Sequence, residues 1–362
     1  MTALENLPEK EKDVIVPVFS LKGWVGSKNL HSSVARIEKS IGKRLWIADV
    51  DQEYLDVNKV IDADGAHSYP REVFYEIESL LDSANGYENW CDFIKGIENA
   101  IPVVQIRNLD LLETQVESLA SLQRGLVFRF QLHEIVSNRY LDILDRVSSL
   151  GLDAENLLII FDFEQISKFD VDHDSVKKIQ SILDASKQKI SGTFFSISAS
   201  SFPSSFSPYT KGENPIYERL LFNRVKSGLP ELKLIYSDRG SARIDKNGGG
   251  GGIPSPRIDY PLLHDWRFVR KDFANPKNVD KDEKVRLYSE AARDVMSAGY
   301  WDSNLKLWGT QLIELTAKGD KFGIGNPAKA TAARINIHLH NQLMYNAPEE
   351  EFLNTEEDWT DL

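Results

Sequence analysis

A single cysteine, Cys91, stands in 362 residues, so neither an internal disulfide nor a zinc site built on several thiolates is available. No stretch approaches the ~18 consecutive apolar residues of a membrane-spanning helix. The opening MTALENLPEKEKD is charged and lacks the apolar core of a signal peptide, so a cytoplasmic protein is expected. No G-x-G-x-x-G follows the first apolar run, and neither a P-loop nor a G-x-S-x-G nucleophile elbow is present. Positive charge is also short: 43 Lys and Arg face 55 Asp and Glu, for a net charge of −12. A general duplex-DNA-binding face is therefore not indicated. What remains is an ordinary globular composition, 41% apolar and 27% charged, long enough for about two domains or one large α/β barrel with extensions.

The acid is concentrated at one end. APEEEFLNTEEDWTDL carries Glu349, Glu350, Glu351, Glu356, Glu357, Asp358 and Asp361 and no basic residue, which leaves the rest of the chain at −5. Such a tail reads as a solvated terminus, or as a docking segment for a protein partner in which Phe352 and Trp359 are the anchors.

Eight short runs have the character of strands buried on both faces: VIVPVFSLKG, KRLWIADVD, AIPVVQIRN, GLVFRFQLHEI, NLLIIFDFEQ, ISGTFFSIS, LKLIYSD and DWRFVRK. Segments with helical spacing of apolar residues lie between most of them, from SVARIEKSIG to PIYERLLFNRVKSG. The alternation implies a parallel sheet with right-handed crossovers, and eight repeats favour a (β/α)8 TIM-like barrel over an open sheet. After residue 280 the pattern turns helical, in KVRLYSEAARDVMSAG, NLKLWGTQLIELTAKG and PAKATAARINIHLHNQLMY. Gly299 and Gly319 are placed to end the first two helices, and Pro327 opens the third. The expected organisation is a barrel over 1–280, a C-terminal helical extension packed on it over 281–346, and an acidic tail over 347–362. A glycine run, Gly248–Gly252, interrupts the last crossover and reads as a surface loop or a mobile lid over the barrel mouth.

In a parallel barrel the polar residues near the C-terminal ends of the strands face the pocket, and alternate residues share a face. This rule selects Lys22, Asp49 with Asp51, Gln105 with Arg107, and Arg129 with Gln131 and His133. It further selects Asp162 with Glu164, Asp238 and Arg270, with Arg267 on the opposite face. An arginine inside VFRFQL needs a carboxylate, because an unpaired buried charge costs several kcal/mol, and Asp162 on the next strand is the natural partner. These residues read as an internal ion-pair network and as a pocket for an anionic ligand, and neither reading excludes the other. In the pocket, Lys22, Arg129 and Arg270 would hold phosphate or carboxylate, while Asp162, Glu164 or Asp238 would serve as acid, base or ligands of a divalent metal. His338 and His340, two apart on a helix, do not share a face and make a poor metal pair; exposed or capping histidines are expected. SISASSFPSSFS reads as a loop, or as a nest of backbone N–H groups for an anion.

The ordered motifs resemble the phage-type beta protein family. VPVFSLKG resembles its opening strand and places Lys22, FRFQL its inward-arginine strand at Arg129, and IIFDFEQI its aspartate strand at Asp162. SSFP is similar to its turn at Ser201, Phe202 and Pro203, and YSDRGSARI to the segment carrying Tyr236, Asp238 and Gly240, with Ser237 and Arg239 departing from the pattern. PRIDYPLLHDWRFVRK resembles an arginine–tyrosine–tryptophan stretch and points to Arg257, Tyr260, Trp266 and Arg270, of which Arg257, Tyr260 and Arg270 are ligand-binding candidates. RINIHLHNQL resembles the closing segment at Arg334, Asn336 and His338. The resemblance implies a protein of phages and bacterial mobile elements and a role in phage–host conflict or antiviral defence; it implies no particular reaction.

Two functions are therefore expected to compete. One is an anion-binding barrel, for phosphate or a nucleotide, with hydrolytic action on a phosphodiester. The other is a non-enzymatic sensor or interaction module working through the C-terminal helices and acidic tail.

Overall fold

The computed structural model describes residues 1–24, 27–50, 52–61, 63–206, 209–244 and 253–355. Asp51, the glycine run Gly248–Gly252 and the tail from Glu356 onward, including Trp359, lie outside them.

Twelve strands are present among these residues: β1 (Val18–Leu21), β2 (Trp46–Val50), β3 (Val60–Ile61), β4 (His67–Ser68), β5 (Ala100–Pro102), β6 (Leu126–Gln131), β7 (Leu157–Gln165), β8 (Phe194–Ser200), β9 (Lys211–Pro215), β10 (Leu234–Asp238), β11 (Arg257–Pro261) and β12 (Asp265–Arg270). Seven are parallel and neighbour one another in chain order. One ladder runs β1-β2-β5, a second runs β6-β7-β8-β10, and a single parallel bridge, Val103 to Val127, joins them. Helices return the chain between successive strands, as the alternation requires; their apolar faces supply one continuous core from Leu4 to Leu234. Asn29 and Asp172 cap two of them by accepting from the backbone N–H of Ser32 and Ser175.

The α/β class with parallel strands holds; the eight-stranded closed barrel does not follow from these pairings. DWRFVRK, expected as the eighth parallel strand, is β12, which runs antiparallel to both β11 and β9 in a separate three-stranded sheet. Two short antiparallel strands meet here through a hairpin, and an apolar run of this length carries no mark of strand direction. Among the described residues nothing pairs β10 with β1. The cavity wall between them includes one face of the helix Pro327–Leu343, with Thr331, Ala332, Ile335, Leu339 and Leu343 at helical spacing.

The helices Lys281–Met296, Trp308–Ala317 and Pro327–Leu343 form as expected, the last opened by Pro327 and capped by Asn326. With β11 and β12 they enclose a second core around Ile258, Tyr260, Val295, Ile313 and Ile337. Phe352 of the tail packs against this core, its ring edge-on to His340 at 4.7 Å. Two of the helices meet closely at Gly309, where a Cβ would lie 2.6 Å from the Ala333 carbonyl oxygen and 2.7 Å from Ile337 Cγ1. Gly309→Ala is expected to destabilise the fold by about 1–3 kcal/mol, read as a lowered urea midpoint at unchanged m-value.

Candidate functional site

Because the seven strands are parallel, their C-terminal ends share one rim, and the side chains that alternate inward line a cavity of about 2080 Å3. The layers differ in chemistry. Ile47 of β2, Val127 of β6 and Ile160 of β7, with Val103 directly after β5, pack together as a buried apolar floor. One step further along the same strands stand Asp49, Gln105, Arg129 and Asp162, and beyond them Gln131 and Glu164.

Arg129 is the centre of the polar layer. Its Nη1 donates to Asp49 Oδ2 at 2.6 Å, and its Nε and Nη2 both donate to Asp162 Oδ2. Asp162 Oδ2 also accepts from Arg239 Nη2 at 2.7 Å, and its Oδ1 accepts from the Glu164 backbone N–H. Burial opposes the charge on Arg129, but the two carboxylates outweigh it and raise its pKa. Burial likewise pushes Asp162 up, and the two guanidinium groups more than reverse this, holding the carboxyl below its ordinary range.

The structure thus brings Lys22, Arg129, Asp162, Glu164 and Asp238 to one cavity. It does not bring Arg257, Tyr260 or Arg270 there. Arg257 bonds Asp259 and stacks over Phe206, Arg270 bonds Asp272, and Tyr260 is buried against Tyr300 and Trp301. All three belong to the antiparallel sheet.

The three expected catalytic carboxylates are unequal. Both Asp162 oxygens are occupied. Asp238 is fully engaged as well: Tyr236 Oη donates to Oδ2 at 2.7 Å, the Gly240 N–H donates to Oδ1, and His338 Nε2 lies 2.8 Å from Oδ2. Burial acts to raise the Asp238 pKa, but His338 and these hydrogen bonds bring it down to about 2. Glu164 differs. It sits at the cavity rim with backbone φ +58°, a left-handed conformation uncommon for glutamate, and no side-chain partner is found for it among the described residues.

His338 and His340 are a correction. Neither is exposed or caps the helix; both are fully buried, His338 on Asp238 and His340 Nδ1 at 2.7 Å from Glu11 Oε1. They do point to different partners, as their spacing requires. Residues that sequence reasoning passed over include Arg239, whose inward position follows from alternation after Ile235 and Ser237, and Glu218, which carries no sequence signal.

Glu218 lies behind the cavity wall on the helix Tyr217–Gly228. Its Oε2 accepts from the Ser201 N–H and hydroxyl, and its Oε1 is buried without a partner. Burial first, then the nearby Asp238 charge, raise its pKa to about 7.

The family model described as Beta protein matches residues 1–344. This chain belongs to the Beta protein family. A relative, Protein beta of Enterobacteria phage P4, is 29% identical over 351 residues, spanning 95% of this chain and 89% of its own length. No solved structure matches. The residues singled out by resemblance fall in three places: Lys22, Arg129 and Asp162 at the cavity, Arg257, Tyr260, Trp266 and Arg270 in the antiparallel sheet, and Arg334, Asn336 and His338 on the helix Pro327–Leu343 along the seam where it docks, with Asp238 lining the cavity and bonding His338. Among the described residues no group of three or more His, Cys, Asp or Glu is placed to hold a metal ion, and no helix is long and apolar enough to cross a membrane.

Arg129→Ala is expected to cost on the order of 3–5 kcal/mol, because Asp49 and Asp162 would stay buried without it; a denaturant titration measures this loss. Glu218 sets a pH dependence. A carboxyl whose folded pKa lies above its unfolded value of about 4.5 binds its proton more tightly in the folded state, so its contribution is full below pH 4.5 and is lost as pH rises through about 7. Glu218→Gln, neutral at every pH, should therefore gain on the parent between pH 5 and 8, to an order of 3 kcal/mol at pH 8, read by thermal melts across that range.

Proposed function

We propose that the protein binds an anionic small molecule of the phosphate or nucleotide class at the C-terminal rim of its cavity, acting in phage–host conflict. The observation that carries this reading is Arg239. Its guanidinium gives one hydrogen bond to Asp162, while its Nε is buried at the cavity wall with no partner among the described residues. A buried donor left unmet costs roughly 1–3 kcal/mol, and an incoming phosphoryl or carboxylate oxygen would satisfy it. Lys22, Arg107 and Arg243 border the same cavity and add positive charge at the rim. Membership of the family and the phage P4 relative support the setting.

Phosphodiester hydrolysis would fall to Glu164. Asp162 is tied into ion pairs and Asp238 into hydrogen bonds with Tyr236, Gly240 and His338, so neither has a free oxygen with which to take a proton from water, whereas Glu164 stands open at the rim. The same locking of two of three carboxylates favours a second reading, a sensor that binds this ligand without turning it over.

Thermal-shift titration with inorganic pyrophosphate and with nucleoside mono- and triphosphates tests the proposal. A saturating ligand stabilises by about 2.7 kcal/mol at a hundredfold excess over Kd. The shift should vanish in Arg239→Ala, whose fold is checked by circular dichroism; a shift that survives places the ligand elsewhere. Hydrolysis of a phosphodiester that is lost in Glu164→Gln while the thermal shift persists identifies the enzyme, and binding without hydrolysis identifies the sensor.

A further inference from the structure

The charged groups that line the polar layer largely answer one another. Two guanidinium groups, Arg129 and Arg239, meet two carboxylates, Asp49 and Asp162. Besides the Arg239 Nε and the Glu164 carboxylate, the wall leaves neutral groups unanswered. On β8, Ser196 and Ser198 point into the cavity, and on its neighbour β10, Ser237 does so at the level of Ser198. Register fixes the arrangement: Asp162, Ser198 and Ser237 form one row across three strands, and Ile160, Ser196 and Ile235 the row beneath. Ser196 and Ser198 are each more than nine-tenths buried, and no hydrogen bond to another described residue accounts for either hydroxyl. A buried hydroxyl wants a partner, and these open onto the cavity rather than into the packed wall.

Small side chains at adjacent positions of β8 and β10 also hollow this side of the cavity, whereas β6, two places along the same ladder, fills it with Arg129. The result is a recess with hydroxyls beside a guanidinium. A phosphate answers the guanidinium, and the recess offers hydroxyls besides. A group that both donates and accepts hydrogen bonds, next to the phosphate, would use the whole wall.

We propose that the ligand of this cavity is a phosphorylated sugar, free or as part of a nucleotide, whose hydroxyls are bound by Ser196, Ser198 and Ser237 while its phosphate lies at Arg239. This rests on the anion-binding reading and specifies the rest of the molecule. Each serine hydroxyl both gives and takes a hydrogen bond, as a sugar hydroxyl does, and the three stand on adjacent strands within reach of one ring.

The full chain is titrated with four probes: inorganic phosphate, ribose 5-phosphate, adenosine monophosphate and free ribose. Affinity for ribose 5-phosphate is expected to exceed that for inorganic phosphate by about tenfold, the worth of one or two hydrogen bonds. Ser198→Ala and Ser237→Ala should each lose most of that margin, and Arg239→Ala should weaken both phosphate-bearing probes together. Equal affinity for phosphate and ribose 5-phosphate, untouched by the serine variants, overturns the sugar and leaves the anion reading in place. Ribose binding as tightly as its phosphate, with loss in Ser198→Ala, supports the sugar and overturns the anion. Binding of none of the four overturns both.

Discussion

A guanidinium inside an apolar strand must be met by carboxylates, and Arg129 draws its two from opposite directions. Asp162 is on the adjoining strand β7, whereas Asp49 is on β2, which belongs to the other parallel ladder. The side chain therefore spans the interior and ties together two ladders that, among the described residues, backbone pairing joins at the Val103–Val127 bridge. Curvature of the parallel strands, a cavity between them and a fixed separation of Asp49 from Asp162 all go with this one residue. The apolar floor of Ile47, Val103, Val127 and Ile160 beneath it excludes water from one side, which strengthens the ion pairs it supports.

The polar residues of the interior perform two kinds of work. Those at the cavity, Asp49, Arg129, Asp162 and Arg239, pair with one another across it. Those along the seam fasten the helix Pro327–Leu343: Arg334 to Asp259, Asn336 to the backbone of Ala3, Asn6 and Gly309, His338 to Asp238, His340 to Glu11 and Asn341 to the Pro261 carbonyl. Asp238 and Arg239 are neighbours in sequence and serve one each. The end of β10 is thus where the fastening of the helix and the lining of the cavity meet.

Much of this was legible in the sequence and some of it could not be. The Arg129–Asp162 pair followed from the cost of burying an arginine on a strand next to one bearing an aspartate. The parallel strands followed from apolar runs separated by helical periodicity. Strand direction at DWRFVRK did not, since β11 and β12 turn through Leu262, Leu263 and His264 without the glycine or asparagine that marks a tight hairpin. The burial of His338 and His340 was hidden for a different reason. Periodicity reports an apolar face against a polar one, and this helix has polar residues buried on several faces, each with its own partner. Glu218 was invisible because a glutamate on an amphipathic helix ordinarily faces solvent, and only the tertiary fold turns this one inward.

The helix Pro327–Leu343 also bears on how the chain reaches its native state. Asn336 bonds Ala3 and Asn6 across sequence separations of 333 and 330 residues, and His340 meets Glu11 across 329. Contacts of that span carry the largest loop-closure cost and form late. On the ribosome the first strands emerge long before the helix that lines the wall between β10 and β1. The nascent protein therefore passes through a stage in which Glu11 and Asp238 have no histidine and the interior stands open along one side. Such an intermediate exposes apolar strand faces for as long as the roughly one hundred residues between β10 and the end of this helix take to be made, and this is the interval in which a chaperone would have most to protect.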